Sequence, residues 1–434
     1  MMLKKTFLAV SLATLSLDTF AAAFQLAEHS ASGLGRAFAG EAAIAENASV
    51  IARNPALMAQ FTSKQLSLSA TYVKPDVSLE GVSAPVYSNT SAMDDDSIAD
   101  SAFVPAAYFI SPINDKLVFG LGVFSNFGLS TEFASDYAAG QLAGKSDITT
   151  INLNAALSYK LNEQFTIGGG ISYIYAEAQI IRHFGDISNV LAMNGVNIPA
   201  ETESVNLEGD DNAFGWNIGV AYDLAPGHRL GLHYRAASDI NFKGHISNDL
   251  PYIPGLLDSG LNGQDYAGSL ELELPATLEF SGSHQFSDET GLHYSILWTD
   301  WSSFESLQAY SSELEDRFDD GQVFAKEEGF EDAMRYAIGT DYQLNQNVKL
   351  RAGIAYDKTA SKQHLSISIP DTNRLWLTTG VNYKLADDSS IDVAVAYLKG
   401  DKQTFSETDN SGGVWEFESE GNAWLFSAQY NMAF

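Results

Sequence analysis

Hydrophobic and polar residues alternate along most of this chain. Near the C-terminus Trp424, Phe426, Ala428, Tyr430, Met432 and Phe434 interleave with Leu425, Ser427, Gln429, Asn431 and Ala433, the period of two that a strand requires. Upstream, Met334, Tyr336, Ile338, Tyr342 and Leu344 interleave with Arg335, Ala337, Gly339, Asp341 and Gln343, and Val348, Leu350, Ala352, Ile354 and Tyr356 with Lys349, Arg351, Gly353 and Ala355. Each run pairs an apolar face with a polar or small-residue face. Alternation alone does not say which face meets solvent, because a soluble sandwich carries the same pattern with its apolar face inside.

The spacing of the runs supplies the direction. Strands are predicted over 64–80, 102–111, 116–126, 147–161, 164–181, 212–223, 228–243, 268–286, 290–308, 332–344, 347–358, 373–385, 389–399 and 422–434. Fourteen is an even number, as an antiparallel barrel with both ends on one side requires. Short connections such as Asn162-Glu163 and Asn345-Gln346-Asn347 take turns with long ones near 182–211, 244–267, 309–331 and 400–421, the habit of short periplasmic turns and long external loops. Tyr159/Leu161, Tyr222/Leu224, Tyr342/Leu344 and Tyr383/Leu385 repeat Tyr-x-Leu before short turns, which reads as an aromatic girdle at one membrane interface. The predicted fold is all-β: a fourteen-stranded antiparallel transmembrane β-barrel whose greasy face meets lipid.

Such a barrel encloses a lumen too wide for wall side chains alone to fill. Residues 22–62 do not alternate and are rich in small residues, as in Ser30-Ala31-Ser32-Gly33-Leu34-Gly35-Arg36, which suits an N-terminal hatch folded into the lumen. Ahead of it, Lys4 and Lys5 precede an apolar stretch from Phe7 to Leu17 and the small residues Ala21, Ala22 and Ala23, the layout of a secretory signal peptide. Cleavage is expected after Ala21, which leaves 1–21 as signal, 22–62 as hatch and 63–434 as barrel with long extracellular loops.

Composition narrows the function. The net charge of −31, from 55 acidic and 24 basic residues, opposes a nucleic-acid partner. The absence of Cys removes thiolate chemistry and disulfides. Gly33-Leu34-Gly35 has Phe38 where a dinucleotide fingerprint needs its third Gly, and Ser281-Gly282-Ser283-His284 lies within a strand pattern, without the turn a nucleophile elbow needs. The eight His have no metal-ligand spacing. No enzyme, cofactor or metal is expected. Two loops are informative. Residues 186–194 read as a short helix with Ile187, Val190, Leu191 and Met193 on one stripe, and the next long loop carries Leu250, Ile253, Leu256 and Leu257. These form either a small external core or a groove for an apolar ligand.

Phe24-Gln25-Leu26, Ser32-Gly33-Leu34-Gly35-Arg36-Ala37 and Arg53-Asn54-Pro55-Ala56-Leu57 resemble the N-terminal hatch of the FadL-type long-chain fatty acid transporters of Gram-negative outer membranes. The likeness continues through Ser125-Asn126-Phe127-Gly128-Leu129, Glu328-Gly329-Phe330, Ser366-Ile367-Ser368-Ile369-Pro370-Asp371 and Phe417-Glu418-Ser419-Glu420-Gly421, and covers nearly the whole mature chain. The resemblance implies passive transport of long-chain fatty acids, with hydrocarbons as the alternative cargo. It implies that the apolar loops capture the acyl chain and that Arg182 and Lys326 hold the carboxylate in the lumen. It implies that Asn54, Pro55 and Ala56 anchor the hatch and that Asn126, Phe127 and Gly128 interrupt the third strand as a lateral opening. Glu327 and His183 depart from the family pattern, and an internal salt bridge from Lys326 to Glu327 or Glu328 is the competing account of that cation. The expected partners are fatty acids or similar hydrophobic molecules, outer-membrane lipid and lipopolysaccharide, with the barrel acting as a monomer.

Overall fold

The structure, a computed structural model, describes residues 23–254, 257–385 and 388–434. The expected signal peptide over 1–21 and Leu256 of the apolar loop lie outside the described residues.

Fourteen antiparallel wall strands follow one another around the barrel. They are β1 (Gln65–Ser83), β2 (Ala102–Pro112), β3 (Leu117–Phe124 and Gly128–Glu132), β4 (Gly144–Lys160) and β5 (Phe165–His183). Next come β6 (Glu203–Ala225), β7 (His228–Arg235 and Ser238–Ser247), β8 (Tyr266–Leu274 and Thr277–Gln285), β9 (Thr290–Thr299 and Ser306–Tyr310) and β10 (Gln322–Glu327 and Ala333–Gln343). The last four are β11 (Val348–Asp357), β12 (Arg374–Lys384), β13 (Ser389–Gly400 and Gln403–Thr408) and β14 (Val414–Ala433). β14 pairs back onto β1 in a register running from Gln65↔Ala433 to Gly81↔Phe417, so the sheet closes on itself. Several strands run further outward than the alternation predicted. β6 begins at Glu203, inside the stretch expected to be loop over 182–211, β9 runs to Tyr310, two residues past its expected end at 308, and β10 includes Gln322–Glu327, inside 309–331. Above the lipid these ends still pair with one another, Leu307 with Lys326 for example, although their side chains no longer follow a clean alternation.

The wall resolves the ambiguity of the pattern. Its apolar residues point outward: Phe214 is 77% exposed and Ile171 66% exposed, as lipid-facing side chains are when lipid is not counted. Aromatic pairs mark two levels of this belt, Phe165–Tyr222 at 4.5 Å near the short turns and Tyr72–Phe103 and Tyr397–Trp424 at 4.9 and 4.8 Å near the long loops. The inner face is polar, with Ser67, Thr71, Asn154, Ser281, Asp341, Arg351, Asp392 and Gln429 all buried. What buries them is the chain's own N-terminal segment.

From Phe24 to Met58 nearly every residue is buried. The segment contains two single helical turns, α1 (Ala31–Leu34) and α2 (Val50–Arg53), and a 3-10 turn over Pro55–Gln60. So little regular structure leaves many backbone groups to satisfy, and the wall satisfies them. Gln429 Oε1 accepts from Ala31 N at 2.9 Å, Ser295 Oγ from Gly40 N at 2.9 Å, and Ser67 Oγ from Ala48 N at 3.1 Å, while Arg235 donates to Ala52 O at 2.7 Å. Wall glycines make room for this backbone. A Cβ on Gly231 would lie 1.8 Å from Ala42 O, and one on Gly353 2.2 Å from the carbonyl carbon of Arg36.

Candidate functional site

Arg182 and Lys326, singled out from the sequence, lie in one charged cluster at the outer end of the lumen. The Arg182 guanidinium donates to Lys145 O at 2.9 Å, Ile181 O at 2.7 Å and Ser146 Oγ at 3.1 Å. It is buried, and no carboxylate lies within ion-pair distance of it among the described residues. The Lys326 ammonium donates to Ser366 Oγ and to Ser368 Oγ, the latter at 2.5 Å, and stands 3.6 Å from both Glu328 Oε1 and Glu407 Oε1. The competing salt bridge is therefore present. It runs to Glu328 and not to the exposed Glu327, because consecutive residues of an extended chain point to opposite faces. Glu407 went unnoticed in the sequence: it sits 81 positions further along, on the outer piece of β13, and its other oxygen accepts from Ile367 N at 3.0 Å.

An aromatic floor lies in the same outer region. Trp301, fully buried, meets Phe24 at 4.6 Å and Phe330 at 5.8 Å, and Phe304 meets Phe330 at 5.0 Å. Phe127 of the third-strand break joins through Phe24 at 6.2 Å and Trp301 at 6.1 Å. Breaks in β9 and β10 supply three of these rings, since Trp301, Phe304 and Phe330 all fall between strand pieces. The indole Nε1 of Trp301 has no hydrogen-bond partner.

Above the cluster the external loops form a separate apolar group of Phe184, Ile187, Ile198 and Leu250, with Leu191, Val196, Leu257 and Tyr87 packed against it. The predicted helix is present as α3 (Ile187–Met193). Ile187, Leu191, Leu250 and Leu257 thus come together, and Ile253 pairs with Leu257 in an isolated antiparallel bridge. Met193 is 78% exposed and Val190 half-buried, so that edge of the stripe faces outward. Asp186 occupies the N-cap position without capping, since its carboxylate accepts from Ser88 Oγ at 2.6 Å and ties α3 to the loop after β1. Tyr87, which no sequence pattern flagged, bridges this group to a second cluster around Trp415, and its hydroxyl donates to Asp409.

The third strand is interrupted at Ser125, Asn126 and Phe127, whereas Gly128 already opens its second piece, paired with Thr149. β2 pairs with β3 only from Pro112↔Val118 to Ala107↔Val123, and beyond that β2 has no partner on this side. The freed backbone groups bond inward: Leu26 N donates to Asn126 O at 2.7 Å and Gly128 N to Phe24 O at 2.9 Å. Asn54, Pro55 and Ala56 meet the wall between β4 and β6. Asn54 Nδ2 donates to Ala42 O at 2.7 Å and Val220 O at 3.1 Å, and its Oδ1 accepts from Ala56 N, with Pro55 opening the 3-10 turn.

A second charged group ties the N-terminal segment to the wall. Glu46 accepts from Arg36 at 2.7 Å, Lys349 at 2.7 Å and Arg351 at 3.1 Å. Arg36 also reaches Glu41 at 3.2 Å and Asp341 at 3.4 Å. No set of three or more side chains suited to hold a metal occurs among the described residues.

Residues 12–434 match the family model described as outer membrane protein transport protein (OMPP1/FadL/TodX). The chain is 40% identical over 452 residues to a long-chain fatty acid transport protein of Escherichia coli O6:H1, a match that covers 99% of this chain and 98% of that one. Among solved structures, a Pseudomonas aeruginosa FadL homologue superimposes with a TM-score of 0.84 at 23% identity, covering 95% of this chain and all of that one. The Pseudomonas putida toluene transporter TodX does so with a TM-score of 0.67 at 16% identity, covering 93% and 97%.

Proposed function

This chain belongs to the outer membrane protein transport family (OMPP1/FadL/TodX), and from that membership we propose that it carries long-chain fatty acids inward across the outer membrane. The apolar group of Ile187, Leu191, Leu250 and Leu257 captures the acyl chain from outside. The carboxylate then moves to Arg182 and Lys326, the tail lying along the aromatic floor around Trp301. The segment over 23–62 acts as a hatch whose rearrangement lets the ligand pass, and the tail leaves sideways through the break at Asn126, Phe127 and Gly128. The outer wall contacts outer-membrane lipid and lipopolysaccharide, and the barrel acts as a monomer.

The energetics favour this route. Burying methylenes at about 0.8 kcal/mol each gives on the order of 10 kcal/mol gross for a long tail, whereas a charged contact to the head adds about 1.5–3 kcal/mol. The tail supplies most of the affinity and the head sets orientation. Discharge into water forfeits the tail's contribution, and discharge into lipid keeps it.

The observation that supports a fatty acid most directly is Arg182, a buried cation without a carboxylate at ion-pair distance among the described residues, two positions from Phe184 of the apolar capture group. Its planar fork suits a carboxylate, and Lys326 adds a point charge. Replacing both, Arg182→Ala with Lys326→Ala, should weaken binding of a fatty acid at least tenfold, by roughly 1.5 kcal/mol or more, and leave the matching alkane nearly unchanged. Equal loss for both ligands would show that the cations act structurally. A hydrocarbon cargo is the second reading, favoured by the resident carboxylates Glu328 and Glu407, which already offset the cluster's positive charge. Tight alkane binding indifferent to the double replacement, with no fatty acid binding in the parent protein, would establish it.

A further inference from the structure

The cluster that is proposed to receive the head group contains two cations, Arg182 and Lys326, and two carboxylates, Glu328 and Glu407. Its formal charges cancel before any ligand arrives. A third carboxylate placed between the cations leaves the cluster with an excess negative charge in a buried site, where water offers little screening. That excess is removed most simply by a proton.

Glu328 is the group built to accept it. Its side chain is buried in the break between the two pieces of β10, above the membrane-spanning piece Ala333–Gln343. Among the described residues neither of its oxygens has a hydrogen-bond partner, although Lys326 Nζ stands 3.6 Å away. Lys326 spends two of its donors on Ser366 and Ser368, so the nearest cation is held back from contact. The charged groups facing Glu328 are Lys326 on its own strand, Glu407 on β13 and Arg182 on β5. The His364 ring lies beside Gly329, and the Glu328 N–H donates to Glu305 O. Burial pushes this carboxyl above its ordinary range, with Lys326 pulling against it. Glu407 differs, since its carboxylate already accepts a hydrogen bond from Ile367 N.

Resting on the fatty-acid reading above, we propose that an anionic head group enters this cluster together with one proton, taken from water onto a Glu328 oxygen. A carboxylate and a proton together have the composition of the neutral acid, the form that enters hydrocarbon without burying a charge. The site thus holds, at the mouth of the exit route, what a charge-free departure into lipid consumes.

The test uses the full chain in detergent and two probes: tetradecyl sulfonate, an anion that cannot be protonated in this range, and tetradecanol, its neutral counterpart. Affinities are measured by calorimetry from about pH 6 to about pH 9, in pairs of buffers that differ in ionisation heat. For the sulfonate, about one proton is taken up per molecule bound, and affinity falls towards tenfold per pH unit at the alkaline end. Tetradecanol binds without uptake and without pH dependence. Glu328→Gln removes both the uptake and the pH dependence for the sulfonate, and so does Glu407→Gln, since either leaves the cluster one negative charge short; the charge-conserving Glu328→Asp keeps the uptake and shifts the infrared band of the carboxyl protonated on binding, whereas Glu407→Asp leaves that band in place. Sulfonate binding without uptake in the parent protein overturns the proton linkage and leaves the fatty-acid reading standing. Uptake that persists in Glu328→Gln overturns the assignment to Glu328. Should Glu328→Gln fail to fold, the parent measurement still decides the linkage and the two aspartate variants the assignment, because a band shifted by Glu407→Asp and not by Glu328→Asp moves the proton to Glu407. Failure of either probe to bind overturns the fatty-acid reading itself.

Discussion

Glu46→Gln is the most searching perturbation of the proposed hatch. Glu46 is the one acidic side chain that joins Arg36 of the N-terminal segment to Lys349 and Arg351 of β11, at 2.7, 2.7 and 3.1 Å. Each charge-assisted bond contributes roughly 1.5–3 kcal/mol, against about 0.5–1.5 kcal/mol for a neutral one. Glutamine keeps one acceptor oxygen and turns its amide towards a cation, so at least one contact is lost and the others fall to neutral strength. Compensation is partial: Arg36 retains Glu41 and Asp341, Arg351 retains Asp392 and Asp341, and Lys349, 29% exposed, can turn to water. The net loss is about 3 kcal/mol, or a rise of about 150-fold in the population with the hatch unseated. In planar bilayers that rise appears as a matching increase in the fraction of time spent in conducting states, on an otherwise quiet trace. The interaction is largely buried, so moderate salt should leave the ratio between variant and parent nearly unchanged. A correctly folded Glu46→Gln barrel with the parent's conducting fraction would refute the idea that this carboxylate holds a movable hatch.

Gly128→Trp sets a bulky ring at the edge of the break in β3, at a buried position whose N–H meets Phe24 O, and should abolish cellular uptake of long-chain fatty acid while equilibrium binding at the external loops persists. Normal uptake by a well-expressed variant would end the lateral-exit proposal. The clasp around Asp409 predicts an acid transition of the loops. Hydrogen bonds from Tyr87, Trp415, Ser411 and Gly413 hold this carboxyl below its usual range despite the opposing effect of burial, so the clasp stabilises at pH above the ordinary carboxylate value and is lost as pH falls through the depressed one. Tyr87, pushed up to about 12 by burial and by Asp409, keeps its proton throughout the neutral range. Near-ultraviolet circular dichroism should register loosening around Trp415 on acidification in the parent and none in Asp409→Asn, which lacks the clasp from the start.

The barrel was legible from the chain alone because its rules are local. A period of two, short turns alternating with long loops and a recurrent Tyr-x-Leu predict strand number and sidedness without knowledge of any long-range contact. The small-residue stretch before the first strand pointed to a hatch for the same reason, since it breaks the alternation. Four things depended on tertiary structure. The seating of the N-terminal segment shows only once the sheet has closed from β14 onto β1 and set wall glycines such as Gly231 and Gly353 beside its backbone. Glu46 is a solitary acid in sequence and becomes a hub only when β11, some 300 residues later, passes beside it. For Lys326 the chain offered Glu327 or Glu328 as a competing partner, and only the fold decided for Glu328, in the break of β10, and added Glu407 from β13. Tyr87 had no periodic signature, since loops owe their packing to whichever neighbours the barrel sets beside them. Strand patterns record the solvent on either side of each strand, whereas the pairing of buried charges records which distant residues closure brings within a few ångströms, and that information is spread over the whole chain.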